Sequence, residues 1–134
     1  MTTPGPSISP TLRYRDAGAA IKFLHDAFGF EKVMVIPGEN GTIAHAELRH
    51  GNGMVMLGSA AENTDYGRIA QPPGSSAAYV VVEDADAHHN RAKAAGAEIV
   101  YAPTDQEYGS RDYAARDPEG NLWSFGTYRP TLNE

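Results

Sequence analysis

The strongest constraint on the fold of this sequence is an internal repeat. Asp16 opens a run in which Ala20, Ile21, Leu24, Ala27 and Phe28 recur on one helical face, and Gly29 closes it; Asp84 opens a second run carrying Ala85, His88, Ala92 and Ala95, closed by Gly96. Aspartate caps a helix because its carboxylate accepts the free amides of the first turn, and glycine ends one because it takes positive φ without strain. The two starts lie 68 positions apart, the two stops 67, and Leu57 and Phe125 of the matching last strands 68. Three matches in order at one offset mark a duplicated supersecondary unit.

Around each helix the sequence alternates with period two, as half-buried strands do. In the first unit the strands are expected at residues 8–14, 32–36, 42–49 and 54–57, with Pro10 suited to an edge because it cannot donate a ladder hydrogen bond. The separators Pro37-Gly38-Glu39-Asn40-Gly41 and His50-Gly51-Asn52-Gly53 have hairpin chemistry. In the second unit they are expected at 77–82, 98–101, 111–116 and 122–128, the last two joined by Asp117-Pro118-Glu119-Gly120-Asn121. Residues 59–76 lose all periodicity and gather Gly67, Gln71, Pro72, Pro73 and Gly74, the composition of a connecting loop. The expectation is an α+β fold in one domain, 1–134, made of two βαβββ modules at about 8–58 and 77–128 joined by the loop at 59–76. One helix covers only one face of a four-stranded sheet, so the two units are expected to form a curved mixed sheet around a cavity, with the helices outside.

Charge and composition narrow the function. Eleven Lys and Arg against seventeen Asp and Glu leave a net charge of −6, without the basic runs that neutralise a phosphate backbone. Nucleic acid is therefore not the expected partner, and a cationic small molecule is favoured over an anionic one. No cysteine is present, which removes thiolate nucleophiles, disulfides and zinc-thiolate sites. Neither a signal peptide at the N-terminus nor a membrane-length apolar run can be read, so a cytoplasmic protein is expected. A Gly-x-Ser-x-Gly elbow and a phosphate-binding glycine loop are also missing, which leaves nucleophilic catalysis without support.

The opening Leu12-Arg13-Tyr14-Arg15-Asp16, the helix end Phe23-Leu24 to Phe28-Gly29-Phe30, and the run Arg116-Asp117-Pro118-Glu119-Gly120-Asn121-Leu122-Trp123-Ser124-Phe125 resemble the vicinal oxygen chelate superfamily. That superfamily includes glyoxalase I, bleomycin-resistance proteins, extradiol dioxygenases and fosfomycin-resistance enzymes, and the resemblance runs from about Ile8 to Tyr128. Its metal-dependent members take one ligand from the first strand and one from the last strand of each unit. Those positions fall at or next to Ser9, Met56, Ala77 and Ser124, and neither these nor their neighbours are usual metal ligands. The resemblance thus implies a member without metal or other cofactor. It also implies a homodimer in which each pocket is built from both chains, with an edge strand around residues 8–14 compatible with pairing.

Alternation assigns the cavity side of each strand. Ala44, Ala46 and Leu48 suit the side under a helix, which leaves His45 and Glu47 facing the cavity as an acid/base pair, a ligand clamp, or a solvated pair. Val55 and Leu57 leave Met54 and Met56 as a soft, adaptable wall or as gap fillers. Tyr79 and Val81 point inward from residues 77–82. On the last strand Ser124 faces the cavity, whereas Trp123 is either a stacking platform or, as the favoured reading, a core anchor. Tyr108, Arg111 and Tyr113 lie in an irregular stretch at the mouth, where they can order a flat or anionic ligand; the alternative is Arg111 paired with Asp112 or Glu107 above rim tyrosines. Tyr66 and Arg68 are candidates for a lid. The five histidines are expected to be solvated or hydrogen-bonded and not metal-bound, since His88 and His89 point about 100° apart on a helix.

The expected function is binding of a small, apolar or aromatic molecule without catalysis, resembling antibiotic-sequestering resistance proteins. The alternative is a glyoxalase-like lyase, isomerase or dioxygenase. A third possibility is an accessory module with a vestigial pocket.

Overall fold

A computed structural model describes residues 3–132. The helix caps act where the sequence places them. The Asp16 carboxylate accepts the Ala19 amide at 3.0 Å, α1 spans Ala17–Phe28, and Gly29 turns the chain at φ 82°. The Asp84 carboxylate accepts the Ala87 amide at 3.0 Å, a second long helix spans Ala85–Ala94, and Gly96 lies at φ 95°. Between them, inside the segment expected to be pure loop, a short helix spans Asp65–Ile69 with the Thr64 hydroxyl accepting the Gly67 amide. Five residues are too few to show apolar periodicity, so only the threonine cap could have signalled it. In chain order these helices are α1, α2 (65–69) and α3 (85–94).

The strands are β1 Thr11–Tyr14, β2 Glu31–Pro37, β3 Ile43–His50, β4 Gly53–Ser59, β5 Ala77–Val81, β6 Glu98–Asp105, β7 Arg111–Arg116 and β8 Leu122–Gly126. They form two four-stranded mixed sheets, ordered β1-β4-β3-β2 and β5-β8-β7-β6, so the α+β architecture of two βαβββ units is present, each unit keeping its own sheet. In both sheets the first strand runs parallel to the last and the other pairings are antiparallel. The β2–β3 hairpin closes through a tight helical turn at Glu39–Gly41, where Asn40 takes φ 55°.

One apolar core serves both units. Helix α1 contributes Ala17, Ala20, Ile21, Leu24, Ala27 and Phe28 to it, whereas α3 buries only Ala85 and Ala92. Ala95 is exposed, because α3 ends one residue earlier and the chain turns there. The Phe28 ring lies 4.7 Å from Phe125 and 5.8 Å from Trp123, which carries the core across from α1 to β8. Polar contacts follow the same route. Arg91 of α3 donates from Nε and Nη2 to the Asp26 and His25 carbonyls at the C-terminal end of α1, the second of which also accepts the Gly29 amide.

Candidate functional site

Register defines two sheet faces turned away from the helices. On the first, Thr11, Met56, Glu47 and Met34 stand in one cross-strand row, with His45 and Ile36 in the next. On the second, Tyr79, Ser124, Ala114 and Tyr101 form a row, followed by Val81, Gly126, Asp112 and Thr104. The opposite faces hold Ala46, Leu48, Val55, Leu57, Tyr113, Ala115, Trp123 and Phe125, all buried in the core.

The first open face has thioether and imidazole character. His45 Nε2 and Glu47 Oε2 lie 2.9 Å apart, so the sequence-predicted pair is brought together, each side chain holding the other. Met56 stands beside Glu47, and the adjoining edge strand β2 leaves Val33, Met34, Val35 and Ile36 exposed. Helix α2 approaches from the β1 edge: the Tyr66 hydroxyl meets Thr11 Oγ1 at 2.8 Å and the Arg13 guanidinium sits 4.7 Å over the Tyr66 ring. A hollow of about 480 Å³ lies under this flap. Gly58 allows the Arg13 guanidinium to lie flat, since a Cβ there would collide with it. Arg68 pairs with Asp65 within α2 and does not reach the sheet.

The second open face is phenolic. Ser124 is half-buried between Tyr79 and Ala114, and the Tyr79 hydroxyl donates to the Tyr128 carbonyl at 2.7 Å. Tyr108 donates to Asp112 Oδ2 at 3.0 Å, and Asp112 Oδ1 accepts from Gln106 Nε2 at 2.9 Å and Tyr101 Oη at 3.2 Å. The bond to Asp112 pushes the Tyr108 phenol above its ordinary pKa, and partial burial together with Asp112 does the same for Tyr101, so both remain donors. Of this group the sequence points to Tyr108 as a ligand contact and to Asp112 only as a possible partner of Arg111, and it gives Tyr101 no role. Strict alternation was the available signal, because it puts Asp112 on the face opposite Arg111 and Tyr113.

Three predicted residues stand elsewhere. Arg111 points to the helix side, where Nε and Nη2 grip Asp86 of α3 at 2.9 and 3.0 Å and Nη1 reaches Asp105 at 3.1 Å; its partners are neither Asp112 nor Glu107. These carboxylates raise the guanidinium's pKa, and the Arg111 bond holds Asp86 below the usual carboxylate range. Tyr113 and Trp123 are core residues, 0% and 1% exposed. Tyr113 cannot stack on a ligand at the rim, because its hydroxyl is turned inward to His88 Nδ1 at 2.5 Å. His88 Nε2 lies 2.9 Å from the Phe28 carbonyl, which fixes the tautomer: Nε2–H donates to the carbonyl and Nδ1 accepts from the phenol. Burial lowers the pKa of His88, and burial with nearby Arg91 does the same for His50.

A cavity of about 730 Å³ lies at the seam between the units, bounded by the β3–β4 turn, β5 and α3. Met54, Tyr79 and Trp123 line it together with His50, His88 and Arg91, whereas His45, Glu47, Met56 and Ser124 do not. Met54 from the first open face and Tyr79 from the second thus both reach this space, while the His45–Glu47 pair and Ser124 lie outside it. At the ligand positions implied by the resemblance stand two hydroxyls, a thioether and a methyl group, a donor set that does not suit a divalent ion. Among the described residues no three His, Asp or Glu side chains are grouped to hold a metal, and no helix is long and apolar enough to cross a membrane.

Residues 8–125 match the family model of the glyoxalase/bleomycin resistance protein/dioxygenase superfamily. An uncharacterized protein of Mycobacterium bovis is 35% identical over 125 residues, covering 90% of this chain and 82% of its own length. The crystal structure of TioX from Micromonospora sp. ML1 superposes with a TM-score of 0.78 at 37% identity, over 91% of this chain and 98% of that one. Lactoylglutathione lyase from Agrobacterium tumefaciens shares the fold, with a TM-score of 0.68 at 24% identity over 92% of this chain and 94% of its own.

Proposed function

The chain belongs to the glyoxalase/bleomycin resistance protein/dioxygenase superfamily, and on that premise we propose that it binds and sequesters a small, largely apolar or aromatic molecule without a metal ion. One observation carries the proposal. The sheet faces opposite the helices remain open, presenting Met34, Ile36, Tyr79 and Tyr101 at 40–46% exposure apart from the better-covered Met56, while the positions where relatives place metal ligands hold none. Soft thioethers and phenol rings adapt to flat apolar guests, and sequestration requires affinity alone.

A second copy of the chain completes the site in this proposal. The His45–Glu47 pair and Ser124 lie on different sheets and line no common cavity within one chain, and the apolar edge of β2 is suited to burial against a partner. The function is tested by thermal shift with aromatic natural products, with metal content and molar mass measured on the same sample. Stabilisation of a metal-free dimer is expected. Stoichiometric nickel, zinc, manganese or iron would transfer support to the alternative, a glyoxalase-like lyase, isomerase or dioxygenase, for which the His45–Glu47 pair on an open face is the acid/base candidate.

A further inference from the structure

Asp112 is 4% exposed, and its two oxygens receive three hydrogen bonds, from Tyr101, Tyr108 and Gln106. All three partners are neutral donors, the surroundings of a carboxylate that only accepts. Among the described residues no Lys or Arg pairs with it; Arg111, next in sequence, is turned to the other side of the sheet and held by Asp86 and Asp105. Such a buried anion, solvated by phenols and an amide but unmatched in charge, is costly unless a cation approaches.

The rings around it are built to receive one. Tyr101, Tyr108, Tyr79 and Tyr128 are 40%, 62%, 41% and 48% exposed, yet three of their hydroxyls are tied inward, Tyr79 to the Tyr128 carbonyl and the other two to Asp112. What these side chains still offer is the ring face. Tyr108 and Tyr128 stand perpendicular at 6.0 Å, so a face and an edge already form a corner. Gly126 holds the group together, because a Cβ there would lie 2.6 Å from the Tyr79 hydroxyl and 2.9 Å from Asp112 Cβ. Tyrosine rings attract cations through their quadrupole, and a phenol donating to a carboxylate has the more electron-rich ring.

We propose that Tyr79, Tyr101, Tyr108 and Tyr128, backed by the buried Asp112 carboxylate, form a subsite for an alkylammonium group, so that the preferred ligand is an amine-bearing or quaternary-ammonium molecule. This rests on the reading that the sheet faces hold a small molecule, and it adds the charge and the address of one of that molecule's groups. The overall charge of −6 favours the same class.

The test is a two-dimensional amide and tyrosine-ring NMR titration of the intact protein with choline and with its uncharged isostere 3,3-dimethylbutan-1-ol. Choline is expected to shift the signals of the four tyrosines and to bind at least tenfold more tightly than the isostere. Tyr108→Leu, at an exposed ring, is expected to weaken choline about three- to fivefold without disturbing the fold, in line with an exposed cation–π contact. Asp112→Asn is expected to weaken it about tenfold; should that variant misfold, the Tyr108→Leu result decides. Equal binding of the two probes, choline shifts mapping away from the tyrosines, or unchanged affinity in Tyr108→Leu would each overturn the subsite. If choline fails while neutral aromatic compounds still raise the melting temperature, the subsite falls and the sequestration function stands. If choline binds as expected and no aromatic compound stabilises the protein, the subsite stands and sequestration of aromatic guests falls.

Discussion

The two units share a topology but divide their tasks. In the first, the weight rests on a helix, and the β3–β4 turn at Gly51–Asn52 is a plain reversal. In the second, the helix buries two alanines and the weight rests on a turn. Asp117, 5% exposed, accepts from the Tyr14 hydroxyl at 2.6 Å, Asn121 Nδ2 at 3.0 Å, Trp123 Nε1 at 3.1 Å and the amides of Glu119 and Asn121. Burial and the facing carboxylate keep the Tyr14 phenol protonated by raising its pKa, which preserves the donor. Glu119 reaches back to the Arg15 and Asp16 amides at 2.6 and 2.8 Å. Repetition of a backbone therefore does not require repetition of its energetics: one unit supplies the apolar anchor and the other the polar clasp.

The sharpest way to break this comparison is to exchange the turns' importance. Asp117→Ala strands several buried donors at once and is expected to cost about 5 kcal/mol in urea unfolding, whereas Asn52→Ala in the matching turn is expected to change stability by under about 0.5 kcal/mol. Similar losses from the two would contradict the asymmetry. The helices give the next test. Phe28→Ala removes a ring packed on Trp123 and Phe125 and is expected to cost about 4 kcal/mol, against about 1 kcal/mol for Ala92→Gly in α3.

A third and smaller effect sharpens the comparison where the units meet. His88 and His50 both have pKa values held below 6.5 by burial, so the unfolded chain binds protons that the folded chain resists. Stability contributed by these groups is full above pH 6.5 and declines as the pH falls through the range between that value and the lowered folded ones. Urea midpoints at pH 7.5 and 5.5 should show this decline, and His88→Asn should flatten it while lowering the midpoint at pH 7.5. An unchanged slope in His88→Asn would place the proton uptake elsewhere.

What the sequence revealed follows from range. The Asp16, Gly29 and Asp84 signals act within a helical turn of themselves, so they were readable, as was the period-two assignment that put His45 and Glu47 on one face. The Asp117 turn was readable as a turn and as part of a family pattern, but not as a clasp, since the donor Tyr14 lies 103 residues away. Arg111 attracted notice for its charge, but its partner Asp86 sits on a helix 25 positions earlier, and nothing local distinguishes that carboxylate from Asp112 or Glu107. The phenol cluster escaped because Tyr101, Tyr108 and Tyr128 converge only once β6, the turn after it and the end of β8 are folded together.

The reach from Tyr14 to Asp117 also imposes an order on biosynthesis. A nascent chain leaving the ribosome completes every strand and the helix of its first unit while the phenol of β1 still lacks its acceptor and the α1 entrance lacks the Glu119 carboxylate. Until β8 emerges, Phe28 keeps its contact with Phe23 but lacks those with Trp123 and Phe125, so the apolar core and the polar clasp of the first unit are both completed by the last strand to be made.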